Sequence, residues 1–222
     1  MDKIIITEYD HAIFKYTNED SNLVKELNDY IDENIDEVYD FFELKNRNNK
    51  AIIEIFPTKE KIDIAVSKAK EVDASSIPNW LIGFSCSDKI YFLSLRDYKS
   101  TPYKDKTDLL EYKKTILHEY IHYIVGLYLL ENKCSYPIRA LNEGIAQYLS
   151  HQRDKNIITL KHDLSEVLEG NTAYSEWYLI TKYIIDNYSK EYFLELLRNR
   201  NEAIDFINNN FDNIKDMKQV KR

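Results

Sequence analysis

The segment TILHEYIHYI, Thr115 to Ile124, places two of the chain's five histidines four positions apart, with a glutamate directly after the first. On a helix, residues four apart lie about 40° apart in azimuth and about 6 Å apart along the axis. His118 and His122 can therefore aim their imidazoles at one point. Glu119 is turned to the flank of that face, near His122 in projection. A divalent ion held by the two rings leaves Glu119 within reach of an ion-bound water without making it a ligand. The chemistry such a set performs is hydrolysis, with Glu119 as general base. The plain alternative is a helix that happens to carry two histidines. Catalytic zinc takes three protein ligands and keeps one position open. The chain offers a third ligand in ALNEGIAQYL, where Glu143 follows His122 with twenty residues between them. A short connection between helices favours antiparallel neighbours, which brings Glu143 back beside the histidines.

Those residues need helices to carry them. Asp108, with Glu111 three residues on, resembles a capping box. The apolar set Ile116, Leu117, Ile121, Val125 and Leu129 continues an amphipathic helix to about Asn132. NKCSYP breaks it, and Pro137 suits the first turn of the next helix, IRALNEGIAQYLSHQ. Further helices are expected in SEWYLITKYIIDNY, KEYFLELLRN and EAIDFINNNF. The tail DMKQVKR is polar and expected to fray. Upstream, KIIITEY, AIFKY and AIIEIF are rich in β-branched and aromatic residues and predict strands. IPNWLIGFSCSDKIYFLSL predicts two strands around a polar turn at Ser85 to Lys89. Leu23, Leu27, Ile31, Ile35, Val38 and Phe42 fall at helical spacing, with Ser21 or Asp20 as N-cap. Thr58 can cap a short helix through Lys70. The expected fold class is α+β. A mixed α/β N-terminal lobe with a small sheet runs over about 1–125 and includes the histidine helix. A helical C-terminal lobe runs over about 126–222, and the whole is one unit.

HEYIH followed by LNEGIAQYL resembles the gluzincin clan of zinc metallopeptidases. That clan includes thermolysin-like enzymes, a large aminopeptidase superfamily and the small minigluzincins. The resemblance covers roughly residues 50 to 200. It implies a zincin-like fold with the motif helix between two lobes, one catalytic Zn2+ on His118, His122 and Glu143, and peptide or protein substrates. AYSEWYLITKYIIDNYSKEYFLELL is similar to the aminopeptidase segment in which a tyrosine opens a helix. By that likeness Tyr174 is the tyrosine that hydrogen-bonds the tetrahedral intermediate, with Tyr178 as its rival. PNWLIGFSCSDKIYFLSL resembles the substrate-aligning edge-strand region, and Lys89 to Leu95 is the strand expected to pair with extended peptide. Asn142 matches the clan's pattern as well. Two departures matter. The G-x-M-E-N motif that anchors a free amino terminus is absent, which favours an endopeptidase over an aminopeptidase. Gln147 stands where thermolysin-like enzymes carry an aspartate supporting a histidine, so any such support would come from an uncharged oxygen.

The bulk numbers bound the partners. With 222 residues the chain is long enough to bury a real core. A net charge of −8 argues against nucleic acid and anionic membrane as partners. Two cysteines are too few for a disulfide scaffold and are expected as free thiols. No apolar stretch approaches a membrane span or a signal-peptide core, which predicts a cytoplasmic protein. Oligomeric state stays open. Trp80, Trp177 and Cys86 are expected in the core, His11 in a solvated turn and His151 on the surface, and His162 is assigned no role. The rival to the peptidase is a catalytically idle or latent gluzincin-like zinc-binding protein. Glu119 beside the three ligands favours the enzyme, because binding alone needs no general base.

Overall fold

The structure is a computed structural model that describes residues 3–105, 108–153, 161–170 and 173–217. It is a mixed α and β protein that divides into two compact units, Met1–Tyr123 and Ile124–Arg222. Most of the predicted polar tail, 218–222, lies outside the described residues; Asp216 and Met217 follow the last helix.

The first unit is built on a five-stranded sheet. Its strands are β1 (Ile4–Glu8), β2 (Ala12–Thr17), β3 (Ala51–Phe56), β4 (Gly83–Cys86) and β5 (Lys89–Leu93), in the order β1-β2-β3-β5-β4. β2, β3 and β5 run parallel, and β1 and β4 run antiparallel to their neighbours. Parallel neighbours need crossovers, and helices α1 (Ser21–Phe41) and α2 (Lys59–Lys70) supply them. Alternation sets one sheet face as the core: Ala12, Phe14, Ala51, Ile53, Ile90 and Phe92 are fully buried. From α1, Val24, Leu27, Ile31, Ile35 and Val38 are buried at helical spacing, while Leu23 is only partly covered. The Thr58 side chain caps α2 by accepting from the Lys61 N–H.

The topology corrects one expectation. β5 is paired on both sides, with β3 and with β4, so Lys89 to Leu93 offers no free edge. Among the described residues the open edge on that side is β4, because the chain leaves β5 inside the sheet and the preceding strand folds back outside it.

Asp20 also departs from its expected role. It occupies the N-cap position of α1 but makes no capping bond. Its carboxylate is 1% exposed and accepts from Arg96 Nε at 3.0 Å and Nη2 at 2.9 Å, Ser94 Oγ at 2.6 Å and Thr17 Oγ1 at 3.0 Å. Burial alone would raise its pKa, but these hydrogen bonds and the guanidinium charge hold it below the ordinary aspartate value.

Helix α3 (Leu109–Glu131) is the long one. The Asp108 side chain accepts from the N–H groups of Leu110 and Glu111 at 2.7 and 3.3 Å, the N-cap half of the expected box. The helix is not amphipathic along its middle. Ile116, Leu117, Tyr120, Ile121, Ile124 and Val125 are fully buried and span about half its circumference, and His118, His122 and Tyr123, at 7–9% exposed, continue the burial round the other half. Hydrogen bonds fix its height and rotation: Tyr112 Oη donates to Leu93 O at 2.8 Å, and Tyr120 Oη to His11 O at 2.6 Å.

The second unit is helical where described: α4 (Arg139–Leu149), α5 (Leu164–Glu169), α6 (Tyr174–Asn187), α7 (Lys190–Arg198) and α8 (Arg200–Lys215). Pro137 stands just before α4 rather than in its first turn. α5 is not among the helices expected from the sequence. It is a six-residue helix opened by Asp163 in a full capping box with Glu166. No described helix is long and apolar enough to cross a membrane.

Candidate metal centre

Along α3, His118 and His122 come to lie one above the other, 7% and 9% exposed. Their Nε2 atoms are 3.1 Å apart and their rings meet edge to face at 88°. Two nitrogens bound tetrahedrally to one zinc at about 2.0–2.1 Å stand about 3.3–3.4 Å apart. The pair is thus set almost as a shared ion requires. One ligand atom from each of His118, His122 and Glu143 lies within 4.8 Å of the others, the one such trio of histidine, cysteine and carboxylate groups among the described residues. Two imidazoles and a carboxylate suit zinc and neighbouring transition ions alike.

Glu119 is half-buried on α3, and β4 runs alongside it. A Cβ built on Gly83 would sit 3.1 Å from Glu119 Cγ and 2.5 Å from Cε2 of the fully buried Phe92 ring. The strand passes this close to α3 only because position 83 has no side chain. An isolated glycine inside a strand pattern was the available signal for this close approach.

Glu143 is held within the second unit. Its side chain is 15% exposed. Gly144 lies against α6: a Cβ there would meet Thr181 Oγ1 at 2.2 Å and the Trp177 carbonyl oxygen at 2.4 Å. That contact explains the glycine after the glutamate, since backbones this close leave no room for a methyl. Gln147, one turn on, is committed elsewhere than an imidazole. Its Nε2 donates to Tyr174 O at 2.7 Å and to Glu143 O at 3.3 Å, and its Oε1 accepts from Arg153 Nε at 2.9 Å. It ties α4 to the start of α6. Asn142 is buried and donates to Tyr136 Oη at 3.2 Å.

Tyr174 opens α6 and is half-buried, its ring edge to face with Trp177 at 4.9 Å. Its rival Tyr178 is 4% exposed and packs with Leu179 and Tyr148 in the core. Arg139, which no sequence motif marks, links this region to Glu143. Its Nε is 4.0 Å from Glu143 Oε1 and its Nη2 is 3.5 Å from Tyr174 Oη. Its position four residues before Glu143 on the same helix face was the available clue.

No protein-family model and no curated protein matches this chain. Among the described residues no other histidine joins the trio. His151 ends α4 in a left-handed conformation with φ 55°. His11 Nδ1 is buried rather than solvated. His162 Nδ1 is 2.7 Å from Glu176 Oε1, and that bond raises the imidazole pKa above its ordinary value. Trp177 is in the core as expected. Trp80 is not, at 48% exposed. Cys86 and Cys134 are both free thiols, and Cys86 is half-exposed on β4 rather than buried.

Proposed function

We propose that the chain is a zinc-dependent metallopeptidase of gluzincin type, an endopeptidase that hydrolyses internal peptide bonds. The observation that carries this reading is the convergence of one ring nitrogen from each of His118 and His122 and a Glu143 oxygen within 4.8 Å, beside a half-buried Glu119. His118, His122 and Glu143 would hold the ion. When bound, zinc supplies Lewis acidity, which makes water a stronger acid and polarises the scissile carbonyl. Glu119 takes the water's proton and passes it to the departing amine, so one carboxylate serves as base and then as acid. Tyr174 offers a phenolic donor for the developing oxyanion. β4 takes the role first expected of Lys89 to Leu95: an extended peptide adds to its open edge, and Gly83 keeps the path beside Glu119 clear. The two free thiols suit a reducing compartment, and the reading carries a cytoplasmic site of action.

Metal analysis together with digestion of a mixed peptide library tests the reading. We expect one zinc per chain and cleavage that a chelator abolishes. Glu119→Gln keeps the zinc and loses about 10²–10⁴ in rate. His118→Ala and Glu143→Ala lose metal as well as rate. Zinc at full occupancy with no cleavage of any peptide selects the idle binding protein instead.

A further inference from the structure

Arg139 has a fixed place. Its guanidinium lies 5.4 Å from the centroid of the Trp177 ring, which is fully buried and anchored by a 2.7 Å bond from Nε1 to Val167 O. A cation over an immobile indole face has one preferred position. From it, Nε faces the Glu143 carboxylate at 4.0 Å and Nη2 faces the Tyr174 phenol at 3.5 Å. The guanidinium has five N–H donors and no acceptor. In any bond between the two, Tyr174 Oη is therefore the acceptor. Whatever else the phenol meets, its own hydrogen must point away from Arg139. A hydroxyl that accepts from a cation is also a stronger donor, because hydrogen bonds in a chain polarise one another.

We propose that Arg139 is a positioning residue that orients and polarises the Tyr174 hydroxyl as an oxyanion donor, while Trp177 and the Glu143 carboxylate hold the guanidinium in place. The inference rests on the hydrolytic reading of the site. Arg139 acts on the reacting oxygen only through Tyr174, so its contribution must vanish when the phenol is removed.

A double-substitution cycle tests this on the zinc-loaded chain, with Arg139→Met, Tyr174→Phe and both together. Loss of one oxyanion donor lowers kcat by about 10²–10³. Arg139→Met should lower kcat by about tenfold or more with KM little changed, since the phenol remains but is no longer directed. Adding Tyr174→Phe should bring the rate to that of Tyr174→Phe alone and no lower. Arg139→Lys, which keeps a cationic donor, should recover part of the loss, and it serves if Arg139→Met folds poorly. A phosphinic peptide, tetrahedral at the reacting centre, should lose affinity in Arg139→Met by the same factor as kcat. The dissociation constant for zinc alone, by competition with a chromophoric chelator, should stay within about threefold of the parent, well short of the 10–100-fold typical of lost ligand support. Losses that multiply in the double variant overturn the proposal. So does zinc affinity falling as far in Arg139→Met as in Glu143→Ala, because Arg139 would then act through the carboxylate. If the unsubstituted chain takes up zinc and cleaves nothing, the hydrolytic reading itself has failed.

Discussion

Helices α3 and α4 carry the candidate ligands, and each has one interior glycine. A methyl built on Gly126 in α3 meets nothing within 4 Å, whereas one built on Gly144 in α4 meets Thr181 Oγ1 at 2.2 Å and the Trp177 carbonyl at 2.4 Å. The contrast separates two ways of placing a side chain. His118 and His122 are set by a long helix whose middle turns are buried on most sides, so many contacts share the work and each can adjust. Glu143 is set by the near-touching backbones of α4 and α6, where the decisive feature is a side chain that is missing. The first arrangement tolerates small changes. The second does not, because the atom in the way is peptide backbone.

Gly144→Ala is the most direct way to break that contrast. We expect it to destabilise the protein by about 3 kcal/mol, at the upper end of ordinary overpacking, because neither Trp177 O nor Thr181 can retreat from a buried helix contact. Urea unfolding measures this. Zinc affinity should fall in the surviving folded fraction as Glu143 is pushed off its axis. A loss below about 0.5 kcal/mol, the level of an ordinary surface change, would mean that α4 and α6 have slack and the contrast is empty.

The first unit has a rigid point of its own, and it is polar. Arg96→Ala leaves the 1% exposed Asp20 carboxylate without its cation. Breaking a buried pair costs about 3–5 kcal/mol, but Arg96 is itself 42% exposed and water partly replaces it, so we expect about 2 kcal/mol. The pH dependence has a definite sign. The Asp20 pKa is lowered by folding, so its contribution is present above the unfolded value of about 3.9 and is lost as pH falls through the lower folded value. Asp20→Asn should flatten that acid limb in thermal melts. Gly126→Ala is smaller and opposite in sign. It should raise stability by about 0.5–1 kcal/mol, the helix preference of alanine over glycine where nothing obstructs the methyl.

How much of this was legible in the sequence follows from the range of the interactions. The spacing of His118, Glu119 and His122 is local, and a helix turns it into geometry without help. Leu27, Ile31, Ile35 and Val38 announced α1 in the same way. Glu143 was legible through the short connection to α4. The strand order was not. Alternation marks a strand and its buried face but carries no signal for which neighbour it takes, so β5 passed for an edge when it lies between β3 and β4. Asp20 looked like a helix cap because its sequence neighbours suit one. Its actual partner, Arg96, comes from the segment after β5, and only the fold brings the two together. Arg139 escaped notice because an arginine on a helix is most simply a solvated charge, and its platform Trp177 is 38 positions further on.

The smallest effect sharpens the comparison by pH. α3 is tied down by phenols, and burial pushes Tyr112 and Tyr120 well above the ordinary tyrosine value, so those ties keep one protonation state across the working range. The first turn of α6, which carries Tyr174, is tied by a group that does titrate. Glu176 accepts from the Lys161 N–H at 3.0 Å and from His162 Nδ1 at 2.7 Å. Burial would raise the Glu176 pKa, but the Lys161 N–H and the imidazole outweigh it and hold the carboxyl below its ordinary value. The carboxylate in turn raises the His162 pKa. A raised histidine stabilises fully below its unfolded value of about 6.5, and that contribution disappears as pH climbs through the higher folded value. Amide exchange at Lys161 and His162, corrected for base catalysis, should therefore lose protection over that interval, while the amides around His11 and Tyr120 keep theirs. His162→Gln should remove the pH dependence and leave zinc affinity unchanged. An NMR titration that places the His162 pKa at or below about 6.5 would end this account, because Glu176 would then be holding the segment through its backbone bonds alone.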